Sequence, residues 1–226
     1  MDFERYSKNM KTFSIEELKN LFEKKVCVLG CGGLGGYVIQ ILSRFGIGYL
    51  TIVDGDSFAI SNLNRQVFSD VNSIGINKVT KTKNDLEIIN PEIKVSPIHS
   101  MLNIDNAYEI LCGHDIVIDC LDNIETRMLV QEVCENLNIP FVHGAIASFY
   151  GQVTTVFPGD KTLNKIYKHG NVGVEKELGN PSFIPPCIAS IQACEAIKLL
   201  NNKGDLLRNK VLYIDLLNNE FETISV

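Results

Sequence analysis

A glycine-rich segment near the start of the chain, VLGCGGLGGYVIQILSRFG at residues 28–46, constrains the fold more than any other part of the sequence. It begins within an apolar run, VCVLG at 26–30, that predicts a strand, and it continues into a segment that predicts a helix ending at Gly46. YLTIVD at 49–54 predicts a second buried strand. Strand, glycine turn, helix and strand in this order predict a βαβ unit with parallel strands.

The alternation of strands and helices continues to about residue 145. The patterns predict further strands at KVSPI, DIVIDC and PFVHGA, and helices at 73–90, at DNAYEILCG and at NIETRMLVQEVCENLN. Such alternation is typical of a doubly wound, mostly parallel sheet that is covered by helices. We therefore predict the α/β fold class with a Rossmann-like sheet.

The pattern changes in the last third of the chain. FYGQVTTVF alternates in polarity as an antiparallel strand does, whereas residues 158–186 are polar and interrupted by glycine and proline, which predicts a long crossover loop. CIASIQACEAIKLLNN predicts a helix, and KVLYIDLLNNEFETISV predicts a hairpin with its turn at Asn218-Asn219. We expect one domain over residues 1–226, with a helical arm at 1–24, a core at 25–145 and the late strands, loop, helix and hairpin at 146–226.

Charge and cysteine content exclude several classes of protein. The net charge is −6 and acidic and basic residues are interspersed, so no basic patch indicates a nucleic-acid or membrane partner. The N-terminus lacks the apolar region of a signal peptide, which predicts a cytoplasmic protein. Seven cysteines without any CxxC pair argue against a disulfide framework and against a structural zinc site.

The glycines and one aspartate form a pattern that suits a nucleotide. Gly30, Gly32 and Gly35 form GxGxxG between strand and helix, and Asp54 ends the second strand 19 residues after Gly35. Glycines allow the backbone to approach phosphate, the helix N-terminus binds anions, and a carboxylate at Asp54 can accept hydrogen bonds from ribose hydroxyls. The alternative is that these glycines only permit close packing of strand and helix, with Cys31 as a small filler.

The residues that follow Asp54 favour ATP over a dinucleotide. A dehydrogenase has little use for cations beyond the ribose position, whereas a triphosphate needs them. Asp122, in DCLDN after the strand DIVIDC, is placed to hold Mg²⁺ through one carboxylate. Taken singly, Arg65 and Lys78 are ordinary surface charges and Asp122 an ordinary helix N-cap. The polar residues that lie beyond Asp54 are Asp56, Asn62, Arg65, Gln66 and Lys78.

In combination these segments resemble the ThiF/MoeB/HesA family, which is similar to ubiquitin-activating enzymes. The resemblance rests on segments spread in order over nearly the whole chain. They are GCGGLG (30–35), VDGDSFAISNLNRQ (53–66), Lys78 in INKV, INPEIKV (89–95), DCLDN (119–123) and SIQACEAIKLL (190–200). The series Asp, Asn-x-x-Arg-Gln, Lys and Asp is far more specific than any one of these motifs.

The resemblance implies an adenylyltransferase. ATP and the C-terminal Gly-Gly carboxylate of a ubiquitin-like sulfur carrier, ThiS-like or MoaD-like, would give an acyl-adenylate and pyrophosphate for thiamine or molybdopterin synthesis. It also implies a homodimer with shared active sites, and a carrier tail that enters a channel under the 158–186 loop. Sulfur would come from another protein. The resemblance implies that Asp54 binds ribose, that Asn62, Arg65 and Lys78 contact the phosphates, and that Asp122 binds Mg²⁺. The other residues that we predict to bind the nucleotide are Gly30, Gly32, Gly33, Gly35, Asp56 and Gln66.

The chain departs from the family pattern at three points. The two zinc-binding CxxC pairs are missing, so we predict no structural zinc. The family's Arg-Tyr-x-Arg, whose second arginine reaches the ATP of the other subunit, is Arg5-Tyr6-Ser7-Lys8 here. Lysine keeps the charge but loses the planar fork. The cysteine that some relatives carry in the late loop is absent, and the nearest thiol is Cys187, where a helix start would lower a thiol pKa. The alternative is that Cys187 is a core residue without a catalytic role.

Other functions remain open on the sequence alone. The enzyme would activate a different acid, such as a tRNA base or a peptide C-terminus, or the chain would be a nucleotide-binding scaffold without turnover. A nicotinamide-dependent oxidoreductase would need a substrate domain that the residues after the sheet hardly provide.

Overall fold

The computed structural model describes residues 2–167 and 178–226. The strands are β1 Lys25–Leu29, β2 Tyr49–Val53, β3 Lys94–Ile98, β4 Ile116–Asp119, β5 Phe141–Ala147, β6 Tyr150–Val156, β7 Lys210–Asp215 and β8 Glu220–Ser225. The helices are α1 Ile15–Phe22, α2 Gly33–Phe45, α3 Lys78–Ile89, α4 Ala107–Leu111, α5 Ile124–Leu137, α6 Thr162–Ile166 and α7 Ile184–Leu200. A 3₁₀ turn covers Ile60–Asn62.

The described strands form one sheet in the order β3-β2-β1-β4-β5-β6-β7-β8. Strands β1 to β5 pair in parallel, and β6, β7 and β8 continue the sheet as antiparallel strands. The direction of strand addition reverses between β1 and β4, which is where open α/β sheets bind ligands. The predicted Rossmann-like sheet with antiparallel C-terminal strands is confirmed.

Both faces of the parallel strands are apolar because helices cover both. Val26 and Val28 of β1 point into a core shared with α2 and α7, whereas Cys27 and Leu29 point into a second core shared with α4 and α5. A strand buried on both faces is a continuous apolar run, which is why VCVLG shows no alternation. Among the described residues, no helix combines the length and the apolar character that crossing a membrane requires.

Two predicted segments have different boundaries in the structure. The helix predicted for 73–90 begins only at Lys78, because Gly75 has a φ of +84° that turns the chain before it. The loop predicted for 158–186 is too long, since it contains α6 and the first turn of α7. Leu163 of α6 is fully buried in the second core. The remainder of the predicted loop, 168–177, lies outside the described residues.

The early start of α7 has a local reason. Pro185 and Pro186 lie in its first turn, where the backbone N–H groups have no partner within the helix. These two prolines, which the sequence pattern assigned to the loop, therefore lie at the start of a helix.

Candidate active site

A cleft of about 280 Å³ lies at the carboxyl ends of β1, β2 and β4. It sits beside the point where the strand order reverses, so the cleft has the position expected for a ligand site in an open α/β sheet. Its wall is formed by the glycine loop, the residues after β2, the start of α3 and the turn after β4. Every nucleotide-binding residue implied by the sequence lines it except Gly35, which lies behind the loop.

The glycines of the loop divide into two groups. Gly30 has a φ of +95° and a Cβ there would lie 2.9 Å from the Cys120 carbonyl oxygen, while a Cβ on Gly35 would lie 1.8 Å from the Gly30 oxygen. These two glycines are required by packing alone. A Cβ on Gly32 or Gly33 would meet nothing closer than 3.5 Å. Their lack of side chains is therefore not required by the protein itself, and it leaves the backbone open to the cleft.

Asp54 joins the glycine loop to the end of β2. Its Oδ2 accepts a 2.7 Å hydrogen bond from the Cys31 amide, and its Oδ1 accepts a 2.8 Å bond from the Asp56 amide. Each carboxylate oxygen has two lone pairs, so both can still accept a bond from a ligand. Asp54 thus supports the loop whether or not it also contacts ribose.

Lys78 is nearly buried at the first position of α3. Only 6% of the residue is exposed, and its Nζ lies 2.9 Å from Asp56 Oδ2 and 3.9 Å from Asp54 Oδ2. A buried ammonium needs such partners because water is excluded from it. The side chain of Asp56 is more than half exposed, so this partner can move away.

The polar residues of the turn after β2 face the glycine loop. Arg65 Nη1 donates to the Ser61 carbonyl and to Asn64 Oδ1, both at 2.9 Å, and its aliphatic part lies over Gly33. Asn62 Oδ1 accepts from the Ala59 amide, which closes the 3₁₀ turn. Gln66 is 6% exposed and its Oε1 is buried without a hydrogen-bond partner among the described residues. An unsatisfied buried acceptor at a cleft wall fits a ligand donor.

Asp122 is exposed on the turn between β4 and α5 and lines the same cleft. It is not the N-cap of α5, because Asn123 caps that helix by accepting from the Thr126 amide. Outside the gap at 168–177, no three His, Cys, Asp or Glu side chains are grouped so that they could hold a metal ion. A single carboxylate still fits Mg²⁺, because this ion usually keeps several waters and takes further ligands from substrate phosphates.

The structure adds residues to the cleft that the sequence patterns missed. Arg127 of α5 is 2% exposed and its Nη2 donates a 2.6 Å bond to the Leu121 carbonyl, one residue before Asp122. Asn180 also lines the cleft, and its buried Oδ1 has no hydrogen-bond partner within the described chain. An arginine on the buried face of an amphipathic helix was a usable signal for Arg127. Nothing in the local sequence marks Asn180.

Two residues predicted for the site do not line this cleft. Lys8 is exposed in the turns that precede α1. Cys187 is the fourth residue of α7, half-buried against the first core. The lowered thiol pKa expected at a helix start is wrong, because desolvation by burial raises the pKa of Cys187.

A family model matches nearly the whole chain. A model of the ThiF family matches residues 6–226. The chain belongs to the ThiF family. The resemblance inferred from GCGGLG, the Asn-x-x-Arg-Gln segment and DCLDN is thereby confirmed.

Named ThiF-family relatives support the same placement. The SAMP-activating enzyme E1 of Haloferax volcanii is 35% identical over 227 residues, which cover 98% of this chain and 84% of that enzyme. The molybdopterin-synthase adenylyltransferase of Salmonella typhimurium is 31% identical over 229 residues, which cover 98% of this chain and 92% of the relative. Among solved structures, E. coli MccB with ATP has a TM-score of 0.81 at 25% identity, with 98% of this chain and 70% of that chain covered.

Proposed function

We propose that this protein uses ATP to adenylate the C-terminal carboxylate of a ubiquitin-like sulfur carrier. A carboxylate oxygen would form a bond to the α-phosphorus while the α–β phosphoanhydride bond breaks and pyrophosphate leaves. The observation that carries the proposal is that one cleft is lined by the glycine loop, by the cations Arg65, Lys78 and Arg127, and by the carboxylate of Asp122. The names of the relatives, an E1 enzyme and an adenylyltransferase, support it.

The chemistry needs positioning and charge neutralisation more than acid–base catalysis. A terminal carboxylate has a pKa of about 3.5 and is already an anion at neutral pH. The task of the cleft is to hold two anions together and to stabilise the charge that develops on the leaving pyrophosphate. Lys78 and Arg65 supply fixed positive charge for that purpose, and the N-terminus of α2 supplies backbone N–H groups.

The remaining residues fit the nucleotide and its metal. Asp54 presents carboxylate acceptors at the edge of the cleft, Asn62 and Gln66 line it with amide side chains, and Asp122 would hold Mg²⁺. The metal would neutralise phosphate charge and help the pyrophosphate to leave. Asp56, which holds Lys78 in this structure, would compete with the triphosphate for the same ammonium.

The proposal extends to partners that lie beyond this chain. We propose a homodimer in which Lys8 of one protomer reaches the cleft of the other, and a separate sulfur donor. The names of the relatives favour a carrier of the MoaD type over one of the ThiS type. Entry of the carrier tail beneath 158–186 and a cytoplasmic location remain predictions, the former partly outside the described residues.

ATP–pyrophosphate exchange tests the proposal directly. We expect Mg²⁺-dependent exchange only with an intact carrier, and none when its terminal glycine is removed, since the reacting carboxylate is then displaced. MoaD-like and ThiS-like carriers are assayed separately, which names the pathway. Tight ATP binding without exchange for either carrier would contradict the proposal and favour another acid substrate or a scaffold.

A further inference from the structure

A closed ring of hydrogen bonds lies behind the turn that carries Asp122. Asp119, the last residue of β4, and His143 of β5 are both fully buried, with Asp119 Oδ2 2.7 Å from His143 Nδ1. His143 Nε2 lies 3.0 Å from the hydroxyl of Tyr167, which follows α6. The same hydroxyl accepts a 3.3 Å bond from Arg127 Nη1. The ring therefore joins β4, β5, α5 and the end of α6.

The ring closes on the backbone of Leu121, the residue immediately before Asp122. The Leu121 amide donates to Asp119 Oδ1 at 3.0 Å, and its carbonyl accepts from Arg127 Nη2 at 2.6 Å. Both backbone polar groups of Leu121 are thus bound to side chains of the ring. The turn from which Asp122 projects cannot shift without breaking one of these bonds.

The donors and acceptors of the ring agree with one protonation pattern. Asp119 accepts from Nδ1–H, so a neutral His143 presents an unprotonated Nε2 that accepts from the Tyr167 O–H. The Tyr167 oxygen then accepts from Arg127 Nη1 and from Gln152 Nε2, the latter at 2.9 Å. Each bond has a donor and an acceptor, which a buried polar network requires.

The network lies among apolar residues of the two cores. The neighbours of Asp119 and His143 on β4 and β5 are apolar residues such as Val117, Ile118 and Val142, and these pack into the two cores. A buried carboxylate and its hydrogen-bond partner often contribute no more to stability than well-packed apolar side chains of similar size. Because the network lies beside Asp122, we relate its role to the cleft.

We propose that His143 and Tyr167 are positioning residues that orient Asp122 toward the metal of the bound nucleotide. This inference rests on the proposed function, because it takes Asp122 as the metal ligand. Residues that orient a metal ligand affect metal affinity, by about 10- to 100-fold when they are removed. The ring is accordingly a determinant of metal–nucleotide affinity.

The test measures Mn²⁺ binding by electron paramagnetic resonance, with a non-hydrolysable ATP analogue bound to the protein. His143→Asn keeps a donor for Asp119 and loses the link to Tyr167, and we expect about tenfold weaker Mn²⁺ binding. Tyr167→Phe removes one hydroxyl from a half-buried side chain, and we expect about fivefold, the size of one hydrogen bond. The double variant should be no weaker than His143→Asn, since both changes break the same ring.

The matched control is His114→Asn. His114 also bonds through both nitrogens, to the Leu111 carbonyl and to Thr51 Oγ1, but it precedes β4 at the opposite end of the sheet. We expect the Mn²⁺ affinity of His114→Asn to equal that of the wild type. Melting temperatures of all variants show whether each protein is folded. Wild-type affinity in both His143→Asn and Tyr167→Phe would overturn the inference alone. Failure of the wild-type protein to bind Mn²⁺ with the nucleotide would overturn the proposed function and the inference with it.

Discussion

The two sides of the cleft, which are the proposed phosphate side and the proposed metal side, are built in different ways. The phosphate side takes its residues from one stretch of chain, from Gly30 to Lys78, in which each motif follows the previous one. The metal side takes Asp119, Asp122 and Arg127 from one segment, but it also depends on His143 and Tyr167, single residues that belong to no motif. The first side is therefore marked by motifs that can be recognised in the sequence, whereas two residues of the second side are not. The following variants test this contrast.

The largest effect is expected within the glycine loop. Gly35→Val should prevent folding or cost about 3 kcal/mol or more, because a Cβ would lie 1.8 Å from the Gly30 oxygen. Gly33→Ala should keep the free energy of unfolding close to that of the wild type and weaken only ATP binding. Urea denaturation compares the two variants. Equal stability of both would refute the division of the glycines into packing and cleft residues.

Removing the buried cation should abolish most turnover without unfolding the protein. Lys78→Met should lower kcat of pyrophosphate exchange by about 10²- to 10³-fold, since it deletes a fixed positive charge from the cleft. The control is Lys81→Met on the same helix, whose ammonium pairs with Asp70 and Asp85. If the control loses as much activity as Lys78→Met, the effect belongs to α3 and not to the cleft.

On the metal side, Asp122→Ala should remove the dependence of exchange on Mg²⁺ concentration and lower kcat by at least about 10²-fold. Because Asp122 is exposed and does not cap α5, the melting temperature of the variant should equal that of the wild type. Magnesium titrations of exchange provide the measurement. Turnover like that of the wild type would eliminate Asp122 as the metal ligand.

A smaller effect is expected at the ion pair between Asp56 and Lys78. Asp56→Asn should tighten ATP binding by about two- to fivefold, because the triphosphate no longer competes with a carboxylate for Lys78. Calorimetric titration with ATP detects a change of this size. Weaker binding would instead show that Asp56 contacts the nucleotide.

The smallest effect concerns a thiol outside both sides. Burial raises the pKa of Cys187, so less of it is thiolate at neutral pH, and alkylation should reach the exposed Cys194 and Cys112 first. The rate of alkylation of Cys187 should increase as the pH rises toward that pKa. Mass spectrometry after brief iodoacetamide treatment gives the order. Preferential labelling of Cys187 would restore it as a nucleophile.

Sequence patterns predicted an element correctly where its signal lies in a few neighbouring residues. The helix α2 was predicted to end at Gly46, and it does, with a φ of +101° at that glycine. The extent of 158–186 was overestimated, because α6 is a helix of five residues held by the burial of Leu163 rather than by its own pattern. Short helices form through tertiary packing and leave little trace in the sequence.

By itself the sequence determined the order of most strands and helices, the family and the motifs that line the proposed phosphate side of the cleft. Glycine conformation, capping and periodicity act over a few residues, so these features can be found in a linear pattern. Only the tertiary structure decided that Asp119, His143, Tyr167 and Arg127 meet behind Asp122. That meeting depends on the pairing of β4 with β5 and on the packing of α5 and α6, and hydrogen bonds between such distant residues have no local signature.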